Sequence, residues 1–503
     1  MTSRRRTCFR FLVPSRPSRV KCCSVFLLGC LTVLAGVAVM KQPTALVDYL
    51  SRHGHRSVRS ESALTYLVAS EVTVADVDHS TVTGTTVVTR DVSKDITAMT
   101  SPQVRRKISL SSTVSDSNSS AENEAGGFQP INGHQSWVYS AFFESFDQKR
   151  PLIRVLALEI SSVTNPVFCH VTERGTVTTS RGWRRVIPDS HGQKYHSVNY
   201  ECGLTAGSRP EVLSLIFNAT DTPTNRLEVI YPRQHARNFT VCYAALHHFN
   251  TPTHLITSLM YNRVLGAQHF YVYNHSVSNT TDAVLRHYQR LGLLTVMPWP
   301  LPTLEVWYYG QILAINDCVY RNTFVSRFVV IQDTDEYIVP NCHGSWLELI
   351  NAVDAGRAKG KVPPLGSYIF ESSLHCNNPR PWEWEKVKKD FSISPEDEKF
   401  IRRHSLLPFI QLHRMDYIYK YKSRTKAIVR PELILYAGIH YTRKHRERAQ
   451  LTVVSNDLAI VHHFSKKRRT QVVDTTTLKF KDQVFPMVKR SIESFEFLAG
   501  TVT

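Results

Sequence analysis

The stretch FVVIQDTDEYIVP, from Phe328 to Pro340, joins a short apolar run to a cluster of acids. A continuous apolar run bounded by polar residues is typical of a strand buried on both faces. Asp333, Asp335 and Glu336 follow it, and their carboxylates repel one another unless a cation or hydrogen bonds compensate. In an extended chain, side chains two residues apart point to one side. The two aspartates therefore predict a site for a divalent cation or its ligand, with an acidic surface turn as the alternative.

Basic residues crowd the N-terminus of the 503-residue chain, whose formal net charge is +19. Residues 1–21 contain several arginines and no acid, and residues 22–40, CCSVFLLGCLTVLAGVAVM, contain no charge. As a helix, this apolar run is close to the roughly 30 Å of a bilayer core. The positive-inside rule leaves the tail in the cytosol and sends the rest of the chain across the membrane. We expect an uncleaved signal anchor, with a cleaved signal peptide as the alternative.

Cysteines and glycosylation sequons fit a chain that enters the oxidising secretory pathway. Six cysteines beyond the apolar run predict up to three disulfides: Cys169, Cys202, Cys242, Cys318, Cys342 and Cys376. Proximity in sequence favours a bond between Cys169 and Cys202. Sequons for N-glycosylation open at Asn118, Asn218, Asn238, Asn274 and Asn279. A luminal domain meets no cellular DNA, so we expect no nucleic-acid partner in spite of the basic charge.

The composition of the chain changes twice after the apolar run. Residues 41–130 are rich in Ser, Thr and Val and poor in aromatics, which predicts a partly disordered stem. Residues 131–235 consist of short runs such as LIRVLALEI, which predict a β-rich accessory subdomain. From 236 to 490, strand and helix patterns alternate, which predicts an α/β domain with a mostly parallel sheet flanked by helices. Ligands of such sheets bind at the carboxyl ends of strands, where the acidic cluster lies.

The α/β part contains five blocks: MYNRVLGAQHFYVYNHS, GQILAINDCVYRN, FVVIQDTDEYIVP, YKSRTKAIVRPELILYAGIHY and AIVHHF. In order and spacing, these blocks resemble those of glycosyltransferase family 92, over residues 239–469. The resemblance implies a GT-A fold and a luminal catalytic domain on a single-pass type II anchor in the Golgi membrane. It also implies transfer of a hexose, galactose, from UDP-galactose to a glycan acceptor on a glycoprotein, such as the fucose of an N-glycan.

Two positions depart from the family pattern. Thr257 and Ser258 stand where many members carry an acid followed by Trp. Ser465 follows His462, His463 and Phe464, where the family continues with Arg. The missing arginine motivates an alternative function, a catalytically degenerate glycan-binding or scaffolding protein of the secretory pathway.

The chemistry of a nucleotide sugar assigns expected roles to the acidic cluster. A divalent cation that bridges two phosphates neutralises the charge that grows on a departing diphosphate. Hard oxygen ligands suit Mn2+ or Mg2+, so Asp335 is the first expected ligand, and Asp333 binds the metal through water or contacts the ribose. Glu336 is expected to be a structural acceptor. His463 is the expected third ligand, with a buried core histidine as the alternative.

Other side chains are candidates for donor binding and for catalysis. Lys426 can offset charge on the diphosphate. The helix before the acidic strand carries candidates for contact with uracil or ribose, with structural capping as the alternative: Gln311, Asn316 and Asp317. If a β-linkage forms from an α-linked donor, the transfer inverts and needs a carboxylate base, for which we consider Glu371 and Glu383, with Glu385 as a further candidate. Trp382 and Trp384 can stack on an acceptor sugar or fill the core.

Overall fold

The computed structural model describes residues 127–133, 135–234, 236–357, 362–465 and 472–500, with side chains described up to residue 496. The predicted cytosolic tail, the membrane anchor at 22–40 and nearly all of the stem lie outside these ranges. Within the described ranges, no helix is both long enough and apolar enough to cross a membrane.

The described chain begins with a nine-stranded sheet in the order β5-β4-β8-β9-β2-β3-β7-β6, with β1 paired to β2. Its strands are β1 (Gln129–Pro130), β2 (Ser136–Glu144), β3 (Leu152–Ile160), β4 (Phe168–Glu173), β5 (Thr176–Arg181), β6 (Trp183–Val186), β7 (Tyr195–Gly203), β8 (Val212–Ile216) and β9 (Leu227–Ile230). A disulfide between Cys169 and Cys202 joins β4 to β7, which confirms the pairing expected from the sequence.

A mixed seven-stranded sheet forms the centre of the remaining chain, in the order β12-β11-β10-β13-β18-β15-β21. Its strands are β10 (Arg237–Leu246), β11 (His269–Asn274), β12 (Leu294–Pro298), β13 (Ser326–Ile331), β15 (Leu365–Phe370), β18 (Lys426–Val429) and β21 (Gln450–Val453). Only β18 runs against the others, because it pairs antiparallel with both β13 and β15. The other six strands end at the same side of the sheet, which we call the carboxyl edge.

A second, five-stranded sheet has the order β14-β22-β16-β17-β23. Its strands are β14 (Glu336–Pro340), β16 (Ser372–Asn377), β17 (His413–Arg414), β22 (Ala459–Phe464) and β23 (Val472–Val473), and a small separate pair is formed by β19 (Ile434–Tyr436) and β20 (Lys444–His445). The apolar run and the second apolar run after the acids therefore belong to different sheets, β13 to the central sheet and β14 to the second sheet. Asp333 and Asp335 lie in the connection from β13 to β14, so the expectation that both side chains point to one side of an extended strand does not apply.

Helices pack on the central sheet and between the two parts of the described chain. They are α1 (Pro252–Val264), α2 (Asn279–Arg290), α3 (Gln311–Arg321), α4 (Trp346–Ala355), α5 (Pro381–Asp390), α6 (Pro395–Arg403), α7 (Leu407–Ile410) and α8 (Lys481–Gly500). Helix α3 contacts β10 on one side and the nine-stranded sheet on the other, which explains why nearly all of its residues are buried. A second disulfide, Cys242 to Cys318, joins β10 to α3. The predicted mixture of sheets and helices is confirmed.

Strand β13 shows why its apolar run belongs in the middle of the sheet. Phe328 and Val330 pack into the hydrophobic cluster on one face, and Val329 and Ile331 pack into the cluster on the other. All four side chains are buried because helices or strands cover both faces. The first acid comes only after the last residue of this strand, so Asp333 lies just beyond β13 at the carboxyl edge.

Candidate active site

Polar and aromatic side chains collect along the carboxyl edge, because six strands of the central sheet end there. The residues that follow these strand ends are His247 and His248 after β10, His275 after β11, Trp299 after β12, Asp333 after β13 and Glu371 after β15. In sheets with parallel strands, this edge is where ligands bind. The edge is therefore the candidate active site.

A buried network of charges holds the segment from Asp333 to Glu336, which joins β13 to β14 and which we call the acidic turn. The Lys426 ammonium contacts Asp333 Oδ2 and lies 3.3 Å from Glu336 Oε2. His463 Nδ1 lies 3.3 Å from Glu336 Oε1, because β14 and β22 place these two residues opposite one another. All four side chains are buried. Lys426 thus supplies positive charge between two carboxylates, so the described structure does not present it to a diphosphate as the sequence predicts.

Burial governs the protonation of this network. Loss of water around Asp333 raises the pKa of its carboxyl above the ordinary value, and the nearby Glu336 carboxylate adds to the rise. The Lys426 ammonium and a hydrogen bond from Gln311 act in the opposite direction. Positive charge from Lys426 therefore offsets the repulsion between two buried carboxyl groups that lie close together.

Gln311 connects the acidic turn to a strained segment. Its Nε2 donates a 2.9 Å hydrogen bond to Asp333 Oδ1, as befits one of the predicted donor-site residues. The three residues before it, Tyr308, Tyr309 and Gly310, all have positive φ, at 43°, 55° and 75°. Such a run is rare for side-chain-bearing residues and persists only where the surroundings impose it. Here the Trp299 indole N–H donates to the Tyr309 carbonyl at 2.9 Å and fixes the segment against the edge.

The strained segment places an aromatic ring beside two histidines. The Tyr309 ring stacks on the His247 ring with centroids 3.7 Å apart and planes 16° apart. His247 Nδ1 lies 3.2 Å from His275 Nδ1. Burial, helped by the charges of His248 and His275, lowers the pKa of His247 to about 4, so this imidazole is neutral near pH 7. The stacked Tyr309 and His247 rings, with the His275 ring tilted by 59° to that of His247, form an aromatic group next to the acidic turn, which we call the aromatic platform.

The aromatic platform is not predicted by the sequence patterns of the chain. His247 and His275 each come directly after an apolar strand pattern, so the rule that ligands bind at carboxyl ends of strands was the available signal. No comparable signal exists for Tyr309, because its position depends on the positive φ values of a segment that resembles no regular element.

Asp335 differs from the other two acids of the turn. Asp333 and Glu336 are buried, whereas Asp335 is half-buried, with its Oδ1 atom itself shielded from solvent. Its backbone carbonyl accepts a 2.8 Å hydrogen bond from Phe464 N, which ties the turn to β22. Asp333, Asp335 and His463 do not form a group with ligand atoms within 4.8 Å of one another among the described residues. The imidazole of His463 faces Glu336 instead.

Asn316 and Asp317, two predicted contacts of uracil or ribose, have structural roles. Both are fully buried. The Asp317 carboxylate accepts hydrogen bonds from Ser140 Oγ, Tyr273 OH and Arg321 Nε at 2.6–2.7 Å. The Asn316 amide exchanges hydrogen bonds with the backbone of Ala437. These contacts attach α3 to its neighbours, so the predicted ligand contact does not fit either residue.

Of the two predicted bases, Glu371 is the one at the carboxyl edge. It follows β15, and its carboxylate accepts hydrogen bonds from Lys420 Nζ at 2.8 Å, Asn456 Nδ2 at 2.9 Å and Tyr421 N at 3.2 Å. Burial alone would raise its pKa, but these hydrogen bonds outweigh that effect and lower the pKa below the ordinary value. Glu371 is thus a carboxylate near pH 7, as a base must be before it takes a proton.

Glu383 lies at the start of α5, which follows the second sheet. It accepts a 2.7 Å hydrogen bond from Arg380 N and lies 2.8 Å from His413 Nε2, so it caps the helix. Nearby, Trp384 is buried and Trp382 is exposed. The predicted role of Glu383 as a base therefore fits less well than its observed role as a cap.

Comparisons with known proteins agree with this architecture. Residues 237–496 match the model of glycosyltransferase family 92, which is more than half of the chain. The chain belongs to glycosyltransferase family 92. The matched region includes the central sheet, the acidic turn, the aromatic platform and Glu371, so the resemblance seen in the sequence is confirmed.

Named relatives share this region at low identity. Beta-1,4-galactosyltransferase galt-1 of Caenorhabditis elegans is 24% identical over 248 residues, which cover 48% of this chain and 51% of the relative. Galactan beta-1,4-galactosyltransferase GALS1 of Arabidopsis thaliana is 21% identical over 242 residues, 43% of this chain and 48% of the relative. Glycosyltransferase family 92 protein F13G3.3 of Caenorhabditis elegans is 31% identical over 98 residues, 17% and 19% of the two chains. The chain spans about half the length of the two longer matches.

Proposed function

We propose that this chain is an inverting, metal-assisted hexosyltransferase with a GT-A fold that moves galactose from UDP-galactose to a glycan acceptor. The observation that carries the proposal is the convergence at one sheet edge of the half-buried Asp335, the stacked Tyr309 and His247 rings and the Glu371 carboxylate. Membership of family 92 supports the reaction class. The choice of galactose rests on the printed names of two relatives, which are galactosyltransferases.

The carboxylate oxygens of the acidic turn suit a divalent cation that binds together with the diphosphate of the nucleotide sugar. Mn2+ and Mg2+ bind carboxylate oxygens, and Mg2+ sites commonly use only one or two protein carboxylates together with phosphates and water. Asp335 is the half-buried carboxylate of the turn, whereas both oxygens of the buried Asp333 are engaged by Gln311 and Lys426. When bound, the cation neutralises charge on the leaving diphosphate. In this proposal Asp335 binds the cation, and Asp333 positions the turn.

The aromatic platform is the proposed contact of the nucleotide base. Tyr309 stacks on His247, and Gln311, two residues further, donates to Asp333. A ligand that rests a planar base on the platform can therefore extend its phosphates toward the acidic turn. Gln311 is the one predicted donor-site residue on α3 that faces this edge.

The acceptor side of the proposed site lies near Glu371. Lys426 pairs in register with Phe370, the last residue of β15, so the loop before Lys426 extends beyond the carboxyl edge. That loop carries several tyrosines, and Lys420 and the backbone N of Tyr421 both donate to Glu371. Tyrosine rings are suitable surfaces for sugars because they combine an apolar face with a polar tip. Glu371 is the proposed base that takes the proton from the acceptor hydroxyl.

The reaction is tested with the full chain in detergent, Mn2+, UDP-galactose and fucosylated N-glycans. Mass spectrometry of the glycans is expected to show addition of one hexose, and replacement of Mn2+ by EDTA is expected to abolish it. Asp335→Asn removes the proposed ligand, and Asp282→Asn, on an exposed surface of α2, is the matched control. Full activity of Asp335→Asn would contradict the assigned role. No turnover of any UDP-sugar would reject the enzymatic proposal.

A second candidate, glycan binding without transfer, is favoured by one observation. Lys426 and Gln311 already engage both oxygens of Asp333, and Ser465 stands where the family has Arg. This candidate predicts binding of fucosylated glycans on an array without turnover and without Mn2+-dependent binding of UDP. The same experiments therefore separate the two functions.

We further propose a location in the Golgi membrane, with residues 22–40 as a type II anchor and the described domain in the lumen. The two disulfides that join described residues are consistent with an oxidising compartment. Asn218 is an exposed sequon residue in the described part, so a luminal domain is expected to carry a glycan there. Treatment of intact and of permeabilised Golgi vesicles with an endoglycosidase tests this, because a luminal glycan is removed only after permeabilisation. Removal in intact vesicles would reverse the proposed topology.

A further inference from the structure

Three potential metal ligands meet on the second sheet, away from the acidic turn. They are His375 in β16, His462 in β22 and Asp474, which follows β23. One ligand atom from each lies within 4.8 Å of the other two, and both histidines are fully buried. Side chains of consecutive strand residues point to opposite faces. His462 therefore lies on the opposite face of β22 from its neighbour His463, which faces Glu336.

The hydrogen bonds of the histidine pair leave one ring nitrogen unsatisfied. His375 Nδ1 donates a 3.0 Å hydrogen bond to the Gln411 carbonyl, so its Nε2 carries a lone pair in the neutral ring. His462 Nδ1 lies 2.9 Å from that lone pair and must carry the shared hydrogen. His462 Nε2 is then a second lone pair, and it is buried without a hydrogen-bond partner. This lone pair can accept the ring hydrogen when a cation displaces it from His462 Nδ1.

The surroundings resemble the outer shell of a metal site. A histidine ligand usually donates its other ring N–H to a carbonyl or carboxylate, as His375 does to Gln411. Ligating carboxylates are also hydrogen-bonded, as Asp474 is by Thr476 N at 2.9 Å and Arg414 Nε at 2.8 Å.

We propose that His375 Nε2, His462 Nδ1 and a carboxylate oxygen of Asp474 are three ligands of a zinc ion that takes a water molecule as its fourth ligand. Two imidazoles and one carboxylate are a donor set that zinc prefers. With Zn–N bonds of about 2.0 Å, tetrahedral ligands lie about 3.3 Å apart, so small side-chain rotations suffice to close the site. On binding, the hydrogen of His462 moves from Nδ1 to Nε2, and the ring stays neutral. The ion joins β16 and β22 to the segment that leads into α8.

The metal content of the purified full chain tests this proposal. The chain is stripped of metal with EDTA, dialysed against Zn2+ alone and freed of excess metal. Its zinc content is then measured by elemental mass spectrometry. About one zinc per chain is expected, and it is expected to remain in Asp335→Asn, because that residue belongs to the other site. His375→Ala is expected to lower zinc retention at least tenfold, in line with the loss of a ligand. His404→Ala, which removes another buried histidine, is the matched control.

Asp474→Asn keeps the shape of the side chain and covers the case in which His375→Ala does not fold. It is expected to lose zinc while circular dichroism stays unchanged. Zinc is also expected to raise the melting temperature of the wild-type chain and not that of Asp474→Asn. Wild-type chain without bound zinc, or equal zinc content in wild type and Asp474→Asn, would overturn the proposal and leave a hydrogen-bonded cluster only.

Discussion

Lys426→Met isolates the buried ammonium that separates Asp333 from Glu336. Methionine keeps a long apolar side chain in the same space and removes only the charge and its hydrogen bonds. Removing one partner of a buried ion pair typically costs about 3–5 kcal/mol, because the remaining charge is left uncompensated. Lys426→Met removes the cation from two carboxylates, so we expect the free energy of unfolding to fall by about 3–5 kcal/mol near pH 7.5.

The loss is expected to depend on pH. Burial already raises the pKa of Asp333, and removal of Lys426 raises it further. A group with a raised folded-state pKa contributes stability that is complete below its unfolded pKa and is lost as the pH rises through the folded pKa. Protonation of Asp333 therefore relieves the variant at low pH. The difference between Lys426→Met and wild type is expected to shrink between about pH 7.5 and about pH 5.

Urea unfolding of the full chain in micelles, followed by tryptophan fluorescence, measures both effects, since Trp299 and Trp346 are buried in the α/β part. Lys422→Met is the matched control, because Lys422 is exposed and lies over the rings of Tyr421 and Tyr441. We expect the control to cost less than about 1 kcal/mol. A loss of that small size for Lys426→Met, or an equal loss at both pH values, would refute the assigned role.

Three further predictions concern the turn, the platform and the accessory sheet. Asp335→Asn is expected to abolish transfer and to change the free energy of unfolding by less than about 1 kcal/mol, because the half-buried carboxylate is a ligand and not a core group. A transfer assay measures the first effect, and urea unfolding measures the second. Gly310→Ala is expected to lower the free energy of unfolding by about 1–2 kcal/mol and to raise the KM for the nucleotide sugar, because φ is +75° and a Cβ would lie 3.2 Å from Trp299 Cζ2. Thermal unfolding and steady-state kinetics measure the two effects. An unchanged KM would contradict the role of the segment. Cys169→Ser is expected to cost about 4 kcal/mol, because the bond closes a loop of 33 residues; unfolding of the variant beside reduced wild type checks this.

Local patterns predicted the parts of the fold that depend on neighbouring residues. The run Phe328 to Ile331 was expected to be buried on both faces, and it is, because its alternate side chains enter two different clusters. The bond between Cys169 and Cys202 was favoured by short separation, whereas Cys242 and Cys318 are 76 residues apart. The sequence contains no measure of such distant proximity.

The contacts of the candidate site are almost all between distant residues, which is why the sequence could name residues but not their roles. Lys426 is 93 residues from Asp333, and His247 is 28 residues from His275. The apparent symmetry of the acids in QDTDE also concealed their different surroundings. Only the break between β13 and β14 reveals that Asp333 and Glu336 turn inward and that Asp335 does not.

The three acids of the turn, Asp333, Asp335 and Glu336, therefore look equivalent in sequence but have different surroundings in the structure. A carboxylate that accepts hydrogen bonds from a buried amide and a buried ammonium is well fixed, but its lone pairs are largely occupied, so Asp333 is suited to hold the turn in place. Glu336 is held from two sides, by Lys426 and by His463. These inward contacts leave the half-buried Asp335 as the acid that a cation can reach without displacing a buried ion pair. In the proposed function, a cation at Asp335 leaves the ion pairs of Lys426 with Asp333 and Glu336 in place, so the network need not reorganise when the nucleotide binds.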